Sequence, residues 1–441
     1  MKKTNVVVGG GIAGIVTAYY LAKAGKPVIL LEKSKDLGGL LRSKNIEGNY
    51  FDYGTHILRE SGVDELDKFL FDGLNLKKFD YLKYGTYNTG LFEGNGFLTD
   101  QALSDQNKKL ALEELITISK GYNVGNPSSL EDQLINEFGE KYTQLLVNPV
   151  IKKLFFHESS ALSPNAHLLF GLSRLIVSTP DETKKLKANS YLDAKLAYHS
   201  SKEVLSAVKA LYPTKGGVGV WIDNLEKKLL NLGVKIIKGE EFKIDGDKKS
   251  IQSLITELDV YDIESLYWTV PPIFLFFELG LEKPKSKPPQ RLSSIIVDLV
   301  FEGDYLTDLY YFQVYDPNLA SFRVTCYDNY NPENGSNSNL KRISVEFLSA
   351  DLEIDRVKFE VLAKSELIAM EIVQSTVVLK IVNVDVVKGG FPIPTPEFRD
   401  ATNLMVDEIK SIENLQLFGK ASGRVWFMND VLMEIHNHFS A

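Results

Sequence analysis

The sequence predicts an α/β protein: one parallel-sheet domain assembled from discontinuous segments, and a second domain of mixed sheet with a helical insertion. Three observations predict it. A strand, a glycine loop, a helix and a second strand ending in an acid follow one another between Lys3 and Glu32. A second strand-and-helix pass returns at Tyr212 to Ile237. Between them, residues 104–178 carry apolar side chains at helical spacing, and residues 292–381 that follow are rich in β-branched and aromatic residues.

The first strand is the apolar run from Thr4 to Val8. Gly9-Gly10-Gly11-Ile12-Ala13-Gly14 follows, with Gly9, Gly11 and Gly14 at the positions of a G-x-G-x-x-G loop. The first glycine permits the tight turn, the second lets backbone approach a pyrophosphate, and the third lets helix pack on strand. The helix from Ile15 to Ala24, entered through Ile12 and Ala13, presents free N–H groups and a partial positive charge to phosphates. Pro27 to Leu31 forms the next strand, and Glu32 ends it, where a carboxylate accepts ribose hydroxyls. This constellation is a Rossmann-type dinucleotide site.

Lys33 then leads to Gly38-Gly39-Leu40-Leu41-Arg42. Here the chain resembles the flavoprotein superfamily of amine oxidases, protoporphyrinogen oxidases, carotenoid desaturases and UDP-galactopyranose mutases, which follow the ribose-binding glutamate with a Gly-Gly pair. The resemblance implies FAD as cofactor, with Gly38, Gly39, Leu40 and Arg42 along its pyrophosphate; Leu40 stands where relatives carry arginine. Asp52-Tyr53-Gly54-Thr55-His56 resembles the superfamily segment beside the flavin ring. It implies that Gly54 and Thr55 contact the ring by their backbone and that His56 faces it as a catalytic candidate. Histidine can change charge near neutral pH.

The rest of the chain follows the same order. Residues 60–100 mix a helix near Val63–Leu74 with short strands. Ser129 caps a helix through Phe138, and a further helix from Lys141 to Val150 is expected to break at Pro149. Phe155 stands where mutases place a nucleotide-holding tryptophan, which implies a substrate contact. Residues 179–202 are polar and charged and read as a mobile connection. Pro213-Thr214-Lys215-Gly216-Gly217, a helix and Gly233-Val234-Lys235-Ile236 resemble the superfamily's second pass, which implies that Phe242 lies at the adenine. Thr269-Val270-Pro271 ends another strand, and Ile273 to Phe277 reads as a buried helix. Arg323 stands near the position of a mutase arginine that grips a diphosphate. Phe418-Gly419, a loop and a final helix close the chain; the resemblance places Gly419, Asn429 and Asp430 at the cofactor, the last two also as helix caps.

The expected organisation is residues 1–75, 205–285 and 385–441 for the FAD domain, 76–103 and 286–384 for the substrate sheet, and 104–204 for the helical lid. A formal net charge of −8 gives a nucleic-acid partner no support. The lone Cys326 excludes an intrachain disulfide and fits a reducing cytoplasm. No apolar run is long enough to span a membrane. The expected function is an FAD-dependent oxidoreductase passing a hydride from a small organic substrate to flavin N5. The alternatives are a non-redox sugar-nucleotide mutase and a flavin-binding protein without catalysis.

Overall fold

In the computed structural model, residues 3–121, 125–204, 208–282, 290–335, 339–423, 425 and 427–440 are described. The expected domain borders at 205 and 285–286 lie outside them.

The first sheet is built around β1 (Thr4–Val8), whose residues are all buried. Helix α1 (Ile12–Lys23) connects it to its parallel neighbour β2 (Val28–Glu32). Strands Lys235–Lys238 and Val260–Trp268 extend the parallel array on either side, and Leu415–Leu417 joins at the far edge. The antiparallel strands Ile251–Thr256 and Phe242–Gly246 branch from the beginning of Val260–Trp268. Such a sheet needs cover on both faces. One face packs on α1 and helix Gly219–Asn231 through Ile15, Trp221 and Leu225; the other packs Val6, Ile29 and Leu266 against Leu275 and Phe276. The topology brings the carboxyl ends of the parallel strands to one edge, which is where open α/β sheets bind ligands.

The second sheet has the order Lys380–Pro392, Arg291–Glu302, Leu340–Ser349, Ser321–Cys326, Tyr311–Val314, Tyr84–Tyr87, Leu91–Glu93. It is antiparallel except where Tyr311–Val314 meets Tyr84–Tyr87. Strand Lys380–Pro392 stays in it through the Arg291↔Pro392 pair, beyond the border expected at 385. The β-rich reading of 292–381 omits its helices, the longest of which lies on the sheet. Helix Arg356–Ala369 covers the sheet with Phe359, Ala363 and Leu367, spaced by four on one face.

The helical insertion packs Leu130, Leu134, Phe138, Tyr142, Ile151 and Phe155 in a core shared with Phe322 and Leu348 of the second sheet. The helix does not break at Pro149. A π-helical turn, Thr143–Val147, precedes helix Asn148–Phe155, and Pro149 occupies its first turn. There the missing proline N–H costs no hydrogen bond. Nor are residues 179–202 an unstructured connection. Thr179 and Glu182 form a capping box that starts helix Pro180–Leu186, and Asn189 caps helix Ser190–Lys195. The Thr-Pro-Asp-Glu signal was present in the sequence, masked by the high charge around it.

Candidate cofactor and active site

The glycine loop leaves β1 with Gly9 at φ +105°, a conformation only glycine adopts cheaply. A Cβ there would collide with Thr269, whose Oγ1 donates to the Val8 carbonyl at 2.8 Å. Gly11 is the N-cap of α1 and offers no side-chain cap, so the first N–H groups of the helix keep their capacity for a ligand. A Cβ on Gly11 would meet no atom within 4 Å, and the same is true of Gly39. Gly14 is different: its Cβ would be driven into the Gly9 carbonyl oxygen, so α1 is seated directly on the loop. Open space at Gly11 and Gly39 beside uncapped N–H groups fits a pyrophosphate.

From this loop a continuous line of contacts leads across the molecule. Glu32 Oε2 accepts the Gly10 N–H at 2.8 Å, and its Oε1 accepts the Ser34 N–H at 2.8 Å. Both oxygens keep further lone pairs for ribose hydroxyls. Gly239, following strand Lys235–Lys238, donates its N–H to the Glu32 carbonyl at 2.9 Å. Gly38 donates to the Gly10 carbonyl at 2.7 Å, which lays the Gly-Gly segment against the loop. Leu40 is exposed, and Arg42 pairs with Asp223 at 2.5 Å, so the guanidinium already has a carboxylate partner. Beyond lies the hairpin β3 (Ser43–Ile46) and β4 (Asn49–Asp52). Asp52 is fully buried and accepts from Ser43 Oγ at 2.6 Å, Tyr212 Oη at 2.6 Å and the Val218 N–H at 3.2 Å. It ties the second pass of the chain to the first. Burial raises its carboxyl to about 6 in spite of those bonds.

The loop after β4 meets the second sheet. Gly54, at φ +95°, packs so that a Cβ would lie 2.9 Å from Glu346 and 3.1 Å from Arg323. Thr55 Oγ1 is 2.5 Å from Thr325 Oγ1. His56 Nε2 lies 3.1 Å from the Tyr53 carbonyl, and a second backbone hydrogen bond links the ring to Leu40. Arg323 makes two hydrogen bonds of 2.6 Å to Glu346 from Nε and Nη2, a bidentate pair. Burial works against the Arg323 charge, and Glu346 outweighs it and raises the pKa. Beneath Tyr53, Lys44 pairs with Asp298 at 2.5 Å and with Asp385, and Asn383 donates to both carboxylates. Asp298 and Glu346 escape sequence reading, yet each is an acid inside an apolar strand, Ile295 to Phe301 and Ile343 to Phe347. A carboxylate placed there must have a buried partner.

His56 does not titrate near neutral pH, contrary to the sequence reading. Burial, then the Arg323 charge, lowers it to about 4. The contribution of a group held below its unfolded value is complete above about 6.5 and fades as pH falls through about 4. His56→Asn is expected to make the ligand-free protein less acid-sensitive than wild type, by up to about 2 kcal/mol between about pH 7.5 and 5 in urea unfolding. Parallel pH profiles in the two proteins would contradict it.

The remaining residues are distributed. Gly419, at φ +59°, donates its N–H to Glu434 at 2.8 Å and packs on Ala13 at the start of α1. Asn429 and Asp430 are not caps: helix Met428–Ser440 begins one residue earlier, so both lie in its first turn. Lys33 reaches over the Phe274 ring at 5.7 Å, and helix Pro272–Glu278 buries Leu275 and Phe276 while Phe274 stays exposed. Phe242 is half-buried against the core that holds Phe276. Phe155 is not offered to a ligand. Its ring is wholly buried, edge-on to Phe170 at 5.0 Å. Cys326 is buried, and burial pushes its thiol up. Among the described residues no His, Cys, Asp and Glu group has metal-binding geometry, and no helix is long and apolar enough to cross a membrane.

Residues 7–70 match the family model of the NAD(P)-binding Rossmann-like domain. Protoporphyrinogen oxidase of Bos taurus is 43% identical over 66 residues, 14% of this chain and 14% of that protein. An uncharacterised protein in the nifH2 3′ region of Methanothermococcus thermolithotrophicus is 51% identical over 53 residues, 12% of this chain and 51% of that protein. The chain thus matches about half the length of the second of these relatives and 14% of the first. Reduced UDP-galactopyranose mutase superposes over 100% of this chain and 95% of its own, with TM-score 0.77 and 16% identity. Putrescine oxidase bound to putrescine covers 100% and 98%, with TM-score 0.60 and 13% identity. The chain has the fold of the amine oxidase, protoporphyrinogen oxidase and UDP-galactopyranose mutase superfamily. Within that superfamily fold, the sequence likeness to the two curated relatives is confined to short stretches, whereas the structural likeness runs the whole length.

Proposed function

We propose that this chain is an FAD-dependent oxidoreductase acting on a small organic substrate. One observation carries the reading: an unbroken series of contacts from the open glycine loop through Glu32, Gly38 and Leu40 to His56, Gly54 and Arg323. That line offers one elongated dinucleotide a phosphate site, a ribose site and a place for a ring at the second sheet. The α1 N–H groups and Gly39 would hold the pyrophosphate, and Glu32 the adenosine ribose. Bound FAD would supply hydride acceptance at N5. Gly54 and His56 would lie beside the ring, and His56, neutral at physiological pH and hydrogen-bonded to backbone, does not act as a standing cation there. Arg323 contributes a fixed positive charge whose field Glu346 largely cancels.

The sugar-nucleotide mutase alternative is less well supported by the same residues. Phe155 is sealed in a core, and Arg323 spends its fork on Glu346, so neither is free to grip a nucleotide diphosphate. The purified protein should be yellow and release FAD on denaturation. Glu32→Ala should weaken FAD by about 1.5–3 kcal/mol, as expected for hydrogen bonds to a charged group. A colourless protein that takes up no added FAD would refute the reading. Prereduced protein that interconverts UDP-sugars with no net electron transfer would establish the mutase instead, and FAD retention with no turnover of either kind would leave a binding protein.

A further inference from the structure

A cavity of about 330 Å³ lies between the helical insertion, the segment from Pro392 to Asn403 and the loop after Gly419. Small-molecule sites occupy roughly 300–1,000 Å³. Nothing in the cofactor reading uses this one. Its walls are largely apolar, with Leu168 on one side, Phe398 on a second, and Val425 and Phe427 on a third. The Ser163 N–H donates to the Pro394 carbonyl at 2.7 Å, which fastens the helical insertion to the opposite wall.

Two features of the lining point to a ligand. Among the described residues its charged lining is Arg399 and Lys420, both cations, with no aspartate or glutamate, although acids outnumber bases 58 to 50 in the chain. Lys420 keeps solvent-accessible surface while protein crowds it, as in a side chain facing a concavity. Crowding by protein atoms, then the charge of Arg291, lowers its pKa, so a second cation acts on this side chain. Independently, Ser163 lines the cavity with a side chain only 2% exposed, and its Oγ has no hydrogen-bond partner among the described residues. A buried hydroxyl left unpaired is costly, and this one belongs to a residue of the cavity wall.

We propose that this cavity binds a small amphipathic carboxylate, its apolar body against Leu168, Phe398 and Phe427 and its carboxylate toward Lys420 and Arg399. Lys420 directly follows Gly419, which packs on Ala13 at the start of α1, so the site adjoins the cofactor end of the chain. Calling the bound carboxylate the substrate rests on the oxidoreductase reading; the binding itself does not.

Isothermal titration of the FAD-loaded protein with octanoate and with 1-octanol tests it, because the pair share an apolar chain and differ in charge. Octanoate should bind at least about tenfold more tightly than the alcohol, the scale of a charge-assisted hydrogen bond. The double variant Lys420→Gln, Arg399→Gln should erase that preference, and Leu168→Trp, at an exposed position, should weaken both ligands by filling the space. Absence of octanoate binding, equal binding of the two, or a preference unchanged in the double variant would overturn the proposal. FAD content is read in the same samples. Octanoate binding without FAD would defeat the oxidoreductase reading alone, and FAD without octanoate binding would defeat this inference alone.

Discussion

Replacing Gly11 with valine is expected to leave a folded protein that no longer takes up FAD. The backbone at Gly11 is ordinary, φ −71° and ψ 178°, and the position of a Cβ is free of any atom within 4 Å. The FAD-free fold therefore loses only the better N-cap, about 1 kcal/mol or less. The space is free because it faces the place proposed for the pyrophosphate, and a branched side chain would hold the phosphates away from the α1 N–H groups. Losing two such charge-assisted bonds at about 1.5 kcal/mol or more each amounts to at least about a hundredfold in affinity. The measurement is an FAD titration of apo-protein followed by fluorescence, with a thermal melt of the same sample. Wild-type FAD affinity in a folded Gly11→Val protein would remove the pyrophosphate from this loop.

Gly14→Ala is expected to do the opposite and damage the fold itself. Its Cβ would enter the Gly9 carbonyl oxygen, a backbone atom at the tightest turn of the sheet edge. No side-chain rotation relieves that clash. Helix α1 would have to lift from β1, opening the contacts that Ile15, Val16 and Leu30 make in the core on that face. Overpacking ordinarily costs 1–3 kcal/mol, and with a rigid backbone partner the loss should reach about 3 kcal/mol or more. Urea unfolding of FAD-free protein reads it directly. A loss below about 1 kcal/mol would mean that α1 does not sit this close to the loop. The pair separates two roles that one glycine pattern contains, a ligand's space at Gly11 and a helix's seat at Gly14.

The nucleotide half of the molecule was legible because its determinants are local. The tight turn, the uncapped helix and the strand-ending acid lie within thirty residues, and each is a requirement on backbone conformation that only certain residues meet. The same holds for the strand from Val260 to Trp268 and its Thr269, and for the helix that Ser129 caps. Those parts needed no knowledge of what packs against them. The tertiary structure decided whatever depends on a partner distant in sequence. Arg323 reads as a ligand's grip until Glu346 is seen across the strand. His56 reads as a neutral-pH switch until burial and Arg323 are seen to hold it near 4. Phe155 reads as a substrate contact until Phe170 closes over it. A side chain's charge state and accessibility are set by its surroundings, and here those arrive from segments up to hundreds of residues away, brought together only when the two sheets and the helical insertion close on one another.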